Sequence, residues 1–120
     1  KAVKIYICNI MTQTGETDGY SVSDHVAAIE KHTYPGIIDF VVANDQPIPA
    51  FLEERYRQDS CYPIRIDEEN LKNGTRLVLG QLVLIEDEYI RHNFSRLARL
   101  IMSIYKYNGG QKKTKADKSR

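Results

Sequence analysis

Apolar positions recur along the chain with two different periods, and the way those periods alternate predicts the architecture. Val3 to Ile10 (VKIYICNI) is a short apolar run containing β-branched residues, which predicts a buried strand. Val22, Val26 and Ile29 then return to one helical face, predicting a helix over Val22 to His32. Ser21 and Asp24 stand ahead of it at the S-x-x-D spacing of a capping box variant, and Tyr34-Pro35-Gly36 stops it. Ile37 to Ala43 (IIDFVVA) predicts a second strand. Asn44-Asp45-Gln46-Pro47 turns the chain towards a helix opening near Pro49, with Phe51, Leu52 and Tyr56 facing inward.

Tyr62 to Asp67 (YPIRID) alternates but holds Pro63, the mark of a short edge strand. Glu68 to Gly74 predicts a turn or short helix ended by Asn73-Gly74. Leu77 to Ile85 is apolar with Gly80 and Gln81 interrupting it, which fits two short strands or one bulged strand. Phe94, Leu97, Ala98, Ile101 and Tyr105 mark the inner face of an amphipathic last helix. Strands alternating with helices predict an α/β domain with a mainly parallel sheet covered on both faces. Ligands bind such sheets where strand C-termini feed loops.

Composition narrows the reading. A chain of 120 residues holds one domain, here expected over 1–107, followed by a disordered basic tail over 108–120. The formal net charge is +1 and the basic excess sits in that tail, at Lys112, Lys113, Lys115, Lys118 and Arg120, so no nucleic-acid footprint is expected. No apolar run approaches the length of a membrane span and no signal peptide precedes the first strand, making a cytoplasmic setting the default expectation. Cys8 and Cys61 lack the paired spacing of a zinc site and read as reduced thiols; no metal site is expected. The chain starts at Lys1 and enters a strand almost at once, which suggests a piece of something longer.

The stretch that stands out chemically is NIMTQTGETDGYSVSDH, Asn9 to His25, between the first strand and the first helix. Gly15 and Gly19 let backbone amides approach a ligand, and the loop feeds a helix N-terminus that favours a phosphate. Thr12, Thr14 and Thr17 add hydroxyls. The competing reading is a plain connection, since neither GxGxxG nor a P-loop lysine is present. Glu16 and Asp18 oppose a bare phosphate unless a metal, a ligand hydroxyl or a ring N–H partners them. No Ser/His/Asp or Cys/His arrangement can be read from the spacing, so no catalytic residue is assigned. His25 reads as a surface or capping residue. Tyr20 fits either a base-stacking role or a core plug. Asn93 reads as the N-cap of the last helix; the functional alternative puts Arg91 near a phosphate and His92 near a ring or ribose.

The string KIYICNIMTQTGETDGYSVSDHV resembles the C-terminal signature of the gluconeogenesis factor family, the YvcK proteins, within the superfamily of the 2-phospho-L-lactate transferase CofD. Asn9 through Tyr20 match the family's fixed positions, with Thr14 where proline is frequent. Looser similarity runs through the second strand, Pro63 to Asp67, and Ile90-Arg91-His92-Asn93, so the resemblance spans roughly Val3 to Tyr105. The family's Gly-Gly-Gly-Thr-Gly loop has no counterpart here, and the chain resembles a C-terminal third. The resemblance implies part of a Rossmann-like three-layer α/β/α fold in a bacterial regulatory protein that binds a nucleotide sugar of the UDP-N-acetylglucosamine class and acts in carbon metabolism and cell-envelope morphology. It nominates Asn9, Met11, Thr12, Gln13, Gly15, Glu16, Thr17, Asp18, Gly19, Tyr20, Arg91 and His92 as ligand-binding, with no required cofactor and a homo-oligomer left open. The alternative it carries is a CofD-like transferase moving a phospho-group from a nucleotide-activated donor, with a divalent metal only in that case. The missing acid–base pair favours the regulator over the enzyme.

Overall fold

The computed structural model describes the backbone of residues 2–118 and the side chains of residues 2–107. The expectation of a disordered tail over 108–120 therefore lies outside the residues described with side chains. Strand β1 (Ile5–Ile7), helix α1 (Val22–His32), strand β2 (Phe40–Asn44), helix α2 (Ala50–Arg57), a short 3-10 turn (Glu68–Asn70), strands β3 (Arg76–Gly80), β4 (Val83–Glu86) and β5 (Tyr89–His92), and helix α3 (Phe94–Lys118) follow in order.

β1, β2 and β3 form a parallel sheet in that order, with Ile5 opposite Phe40 and Phe40 opposite Arg76. Alternation along each strand sorts side chains to two faces. Tyr6, Val41, Ala43 and Leu77 pack with Val22 and Val26 of α1. Ile5, Ile7, Phe40, Val42 and Val78 pack with Leu97, Leu100, Ile101 and Ile104 of α3. The expected α/β class with a parallel sheet between helical layers is what forms.

α1 has the bounds its periodicity predicts, because Ser21 and Asp24 close the full reciprocal capping box. β1 is shorter than Val3 to Ile10. Cys8 still donates to the Val42 carbonyl at 2.9 Å, but Ile10 and Thr12 leave the sheet to pair with Ile64 and Tyr62. That pairing amounts to one antiparallel bridge, Met11 with Pro63, and not the expected edge strand over Tyr62 to Asp67: Pro63 has no amide to continue a ladder. β2 starts later than Ile37 because Pro35-Gly36 and Asp39 hold a turn there, Asp39 accepting from the Lys4 amide at 2.8 Å. Ile38 is buried all the same.

Leu77 to Ile85 resolves into two strands, β3 and β4, that belong to different sheets. β5 escapes the pattern reading. It pairs antiparallel with β4 across a two-residue turn, Asp87-Glu88, in which both residues take positive φ without glycine to announce it. Among the residues expected to face inward, Leu52 is fully buried, but Phe51, Phe94, Ala98 and Tyr105 are exposed. Leu97 and Ile101 do meet the sheet as expected, and with Leu100 and Ile104 they make the buried face of α3, which is centred about a fifth of a turn from the expected one.

Candidate functional site

Where β1 ends, Asn9 to Thr14 and Glu16 form one wall of an open cleft of about 560 Å³. Tyr56 and Cys61, from α2 and the segment after it, and Ile90, Arg91 and His92 of β5 line the rest. Two of the contacts that hold the β4–β5 hairpin there border the cleft. The Tyr56 hydroxyl accepts from the Ile90 amide at 2.9 Å, and the His92 Nε2–H faces the Cys8 carbonyl at 3.3 Å. Ile10, Met11, Val83 and the half-buried Ile48, Tyr56 and Ile90 supply an apolar base. The cleft therefore sits at the C-terminal end of a parallel strand, where an α/β sheet presents its ligands.

The polar groups around it divide into those the fold consumes and those it leaves. Thr12, 4% exposed, accepts from the Tyr62 amide at 3.0 Å. Thr14 donates to the Asp59 carbonyl at 2.5 Å and lies 3.5 Å from the Cys61 thiol. Thr17 accepts from the Gln13 amide at 2.8 Å, and Asp18 accepts from the Gly15 amide at 3.0 Å. These bonds wind Gln13 to Asp18 into a closed turn, with Gly15 at φ +84° where an L side chain is strained. Asn9, Gln13 and Glu16 line the cleft with side chains that none of these bonds occupies. Arg91 is more than half exposed; its Nε lies 3.5 Å from Glu86, and its guanidinium 6.0 Å from the Tyr89 ring centre. That is a loose surface pairing, worth little.

The phosphate expected at the N-terminus of α1 meets a group already in place. The Asp67 carboxylate, in a residue 5% exposed, accepts from the Ser23 backbone amide at 2.9 Å, the Ser21 hydroxyl at 2.7 Å, the Ser23 hydroxyl at 2.5 Å and the Asn70 side-chain amide Nδ2 at 3.0 Å. The Val22 amide is taken by the Arg65 carbonyl and the Asp24 amide by Ser21. Burial alone would raise the Asp67 carboxyl, but the hydrogen bonds from Ser23, Asn70 and Ser21 outweigh it and hold the group well below the usual carboxylate range. The protein thus supplies its own anion to the helix dipole, and this end of α1 is closed to a phosphate.

Of the twelve residues nominated by sequence, Asn9, Met11, Thr12, Gln13, Glu16, Arg91 and His92 meet around the cleft, although Arg91 and His92 are some eighty positions from the loop. Gly15, Thr17, Asp18, Gly19 and Tyr20 do not line it. Tyr20 lies beyond the turn with its ring edge-on to His25, 5.3 Å between centres. His25 is buried rather than a surface residue, its Nδ1–H directed to the Ser21 carbonyl at 2.8 Å. Asn93 is the expected cap, accepting from the Arg96 amide at 3.1 Å. Ile10, Tyr56, Cys61 and Ile90 are cleft residues that pattern reading missed. Tyr56 carried a signal, an inward helical position with a hydroxyl that needs a partner.

Burial pushes the Cys8 thiol up to about 12, so it packs as an inert small hydrophobe. Among the described residues, no group of three or more His, Cys, Asp or Glu gathers for a metal, and Glu16 and Asp18 do not converge because Asp18 is turned to Gly15. The donor set does not fit a magnesium ion. No helix among the described residues is long and apolar enough to cross a membrane.

Fold and cleft together define an α/β domain with a ligand-sized site at the end of a parallel strand. The sequence profile of 2-phospho-L-lactate transferase CofD matches residues 1–83. The gluconeogenesis factor of Halalkalibacterium halodurans is 40% identical over 102 residues, 84% of this chain and 32% of the relative. That of Bacillus subtilis strain 168 is 38% identical over 106 residues, 88% of this chain and 33% of the relative. A crystal structure of a Bacillus halodurans protein superposes with a TM-score of 0.80 at 40% identity, covering 84% of this chain and 33% of the other. The chain belongs to the CofD family, and it spans about a third of the length of the gluconeogenesis factors it matches.

Proposed function

We propose that the cleft is part of a nucleotide-sugar site of the UDP-N-acetylglucosamine class, in a regulatory protein of the gluconeogenesis factor type acting in bacterial carbon metabolism and cell-envelope morphology. In this reading residues 1–107 are the C-terminal portion of a CofD-like domain working in the cytoplasm. The observation that carries it is the meeting of Arg91 and His92 with Asn9, Gln13 and Glu16 around one ligand-sized cleft, with an apolar base for a ring. Arg91 is released from Glu86 at small cost to meet a phosphate. Gln13 and Asn9 present amides that donate and accept, and Glu16 accepts from sugar or ribose hydroxyls. Thr12 and Met11 shape the wall, and the Gly15 to Tyr20 segment holds it in place.

Isothermal titration of UDP-N-acetylglucosamine against the protein, and against the Bacillus subtilis relative altered at the aligned positions, tests the reading. Arg91→Ala and Glu16→Gln should each weaken binding about tenfold or more, the usual worth of a hydrogen bond to a charged group. Both variants should melt with the wild type. Unchanged affinity in both, in a protein that does bind, would show the ligand sits elsewhere. Membership of the CofD transferase family keeps the transferase reading as the competing outcome: steady consumption of a nucleotide-activated donor would replace the regulator with an enzyme.

A further inference from the structure

The hairpin that carries Arg91 and His92 has little support of its own. Among the described residues β4 and β5 pair only with each other, and a lone two-stranded hairpin is marginally stable in water. Its turn adds strain, with Asp87 at φ 52° and Glu88 at φ 65°. At its root the hairpin is well tied. The Asn44 side chain accepts from the Leu82 amide at 2.9 Å, the Gln46 side chain from the Val83 amide at 3.1 Å, and the Leu82 carbonyl from the Asn93 amide at 2.7 Å. At its tip the tie is an exposed ion pair, Arg55 to Glu88 at 2.6 Å, which holds position weakly. Midway along β5, on the edge that β4 leaves open, the Ile90 amide donates to the Tyr56 hydroxyl.

Tyr56 is also fastened to the opposite wall. Its carbonyl accepts from the Asp59 and Cys61 amides, both at 3.0 Å, which closes the chain after α2 into a turn. The Asp59 carbonyl accepts from the Thr14 hydroxyl at 2.5 Å, and Thr12 exchanges two bonds with Tyr62, at 2.8 Å and 3.0 Å. One residue therefore has its backbone tied to the loop wall and its hydroxyl tied to the hairpin wall. We infer that Tyr56 is a positioning residue of the cleft: its hydroxyl sets how far Arg91 and His92 stand from Asn9, Gln13 and Glu16. The inference rests on the reading of the cleft as a nucleotide-sugar site. Such a ligand meets both walls at once, so its affinity depends on their separation as well as on the groups they carry. The contact of His92 with the Cys8 carbonyl, at 3.3 Å, is longer than the usual range and fixes that separation less well.

The test is Tyr56→Phe in the 120-residue chain, which keeps the ring in the apolar base and removes the acceptor of the Ile90 amide. Without ligand, amide exchange at Arg91 as well as at Ile90 should quicken about five- to tenfold, the fold-change of one lost hydrogen bond. Binding of UDP-N-acetylglucosamine should weaken by a similar factor. Arg91→Ala should then cost less than about threefold in the Tyr56→Phe background, against about tenfold with Tyr56 in place, because a group no longer held has little left to lose. Glu88→Gln, which cuts the tip pair, should leave affinity within about twofold.

Unchanged exchange at Arg91 overturns the inference whether or not the protein binds a nucleotide sugar; a wild type that binds none fails the reading of the cleft, and exchange alone then judges Tyr56. In a protein that does bind, unchanged affinity on Tyr56→Phe overturns the inference. So do losses from Tyr56→Phe and Arg91→Ala that simply add, which make Tyr56 a direct ligand contact. A loss on Glu88→Gln as large as that on Tyr56→Phe moves the brace to the hairpin tip and overturns it as well.

Discussion

The segment between β1 and α1 has two sides, and they differ in how much of their polar capacity the fold consumes. On the α1 side, Ser21, Ser23, Asp24 and Asp67 use the first amides of the helix and one another's side chains, with Asp67 and Ser21 buried. On the cleft side, Asn9, Gln13, Glu16 and Arg91 face open space, and the strongest charge contact among them is an exposed pair 3.5 Å apart. Both sides look equally polar in sequence. The difference teaches that a ligand site is to be sought among polar groups the fold has left over, even beside a helix N-terminus that would ordinarily draw an anion.

The largest effect expected on the saturated side is that of Asp67→Ala. It strands the Ser21 and Ser23 donors in a buried setting and should cost about 2–4 kcal/mol in urea denaturation, without altering ligand affinity in the folded fraction. A cost near zero would erase the contrast. The same group gives an acid dependence with a definite sign. Its carboxyl binds protons more weakly folded than unfolded, so its contribution is fully present above the unfolded value of about 4 and is lost as pH falls through the lower folded value. Thermal melts from pH 6 downward should decline more steeply for wild type than for Asp67→Asn.

Next in size are the bonds that wind the turn. Thr17→Val removes the partner of the Gln13 amide, and Gly15→Ala forces an alanine to φ +84° with no neighbour to clash against. Each should cost about 1 kcal/mol, read from chemical denaturation. A larger loss of affinity than of stability from Thr17→Val would move that residue to the cleft side of the comparison. Smallest is Glu86→Gln, which frees Arg91 from a surface pair. Stability should stay within about 0.5 kcal/mol, and affinity for an anionic ligand should be equal or slightly higher. A marked loss of affinity would mean that Glu86 positions Arg91 for the ligand.

Much of this was legible along the chain because its causes are local. The capping box, the apolar face of α1 and the stop at Pro35-Gly36 lie within a few residues of one another, and α1 keeps the predicted bounds. β5 was not legible, since its Asp87-Glu88 turn takes positive φ without a glycine or asparagine. For α3, two apolar stripes adjoin, and periodicity does not say which one meets the sheet; Leu97 and Ile104 do, while Phe94 and Tyr105 do not.

Sequence by itself determined the alternation of strands and helices, the family and the polar loop after β1, because each is written in short-range spacing and residue identity. Tertiary structure alone decided what the loop's side chains are for. Asp67 reaches Ser21 across 46 positions and His92 reaches Cys8 across 84, so which donors are spent and which remain for a ligand depends on contacts that no local pattern encodes.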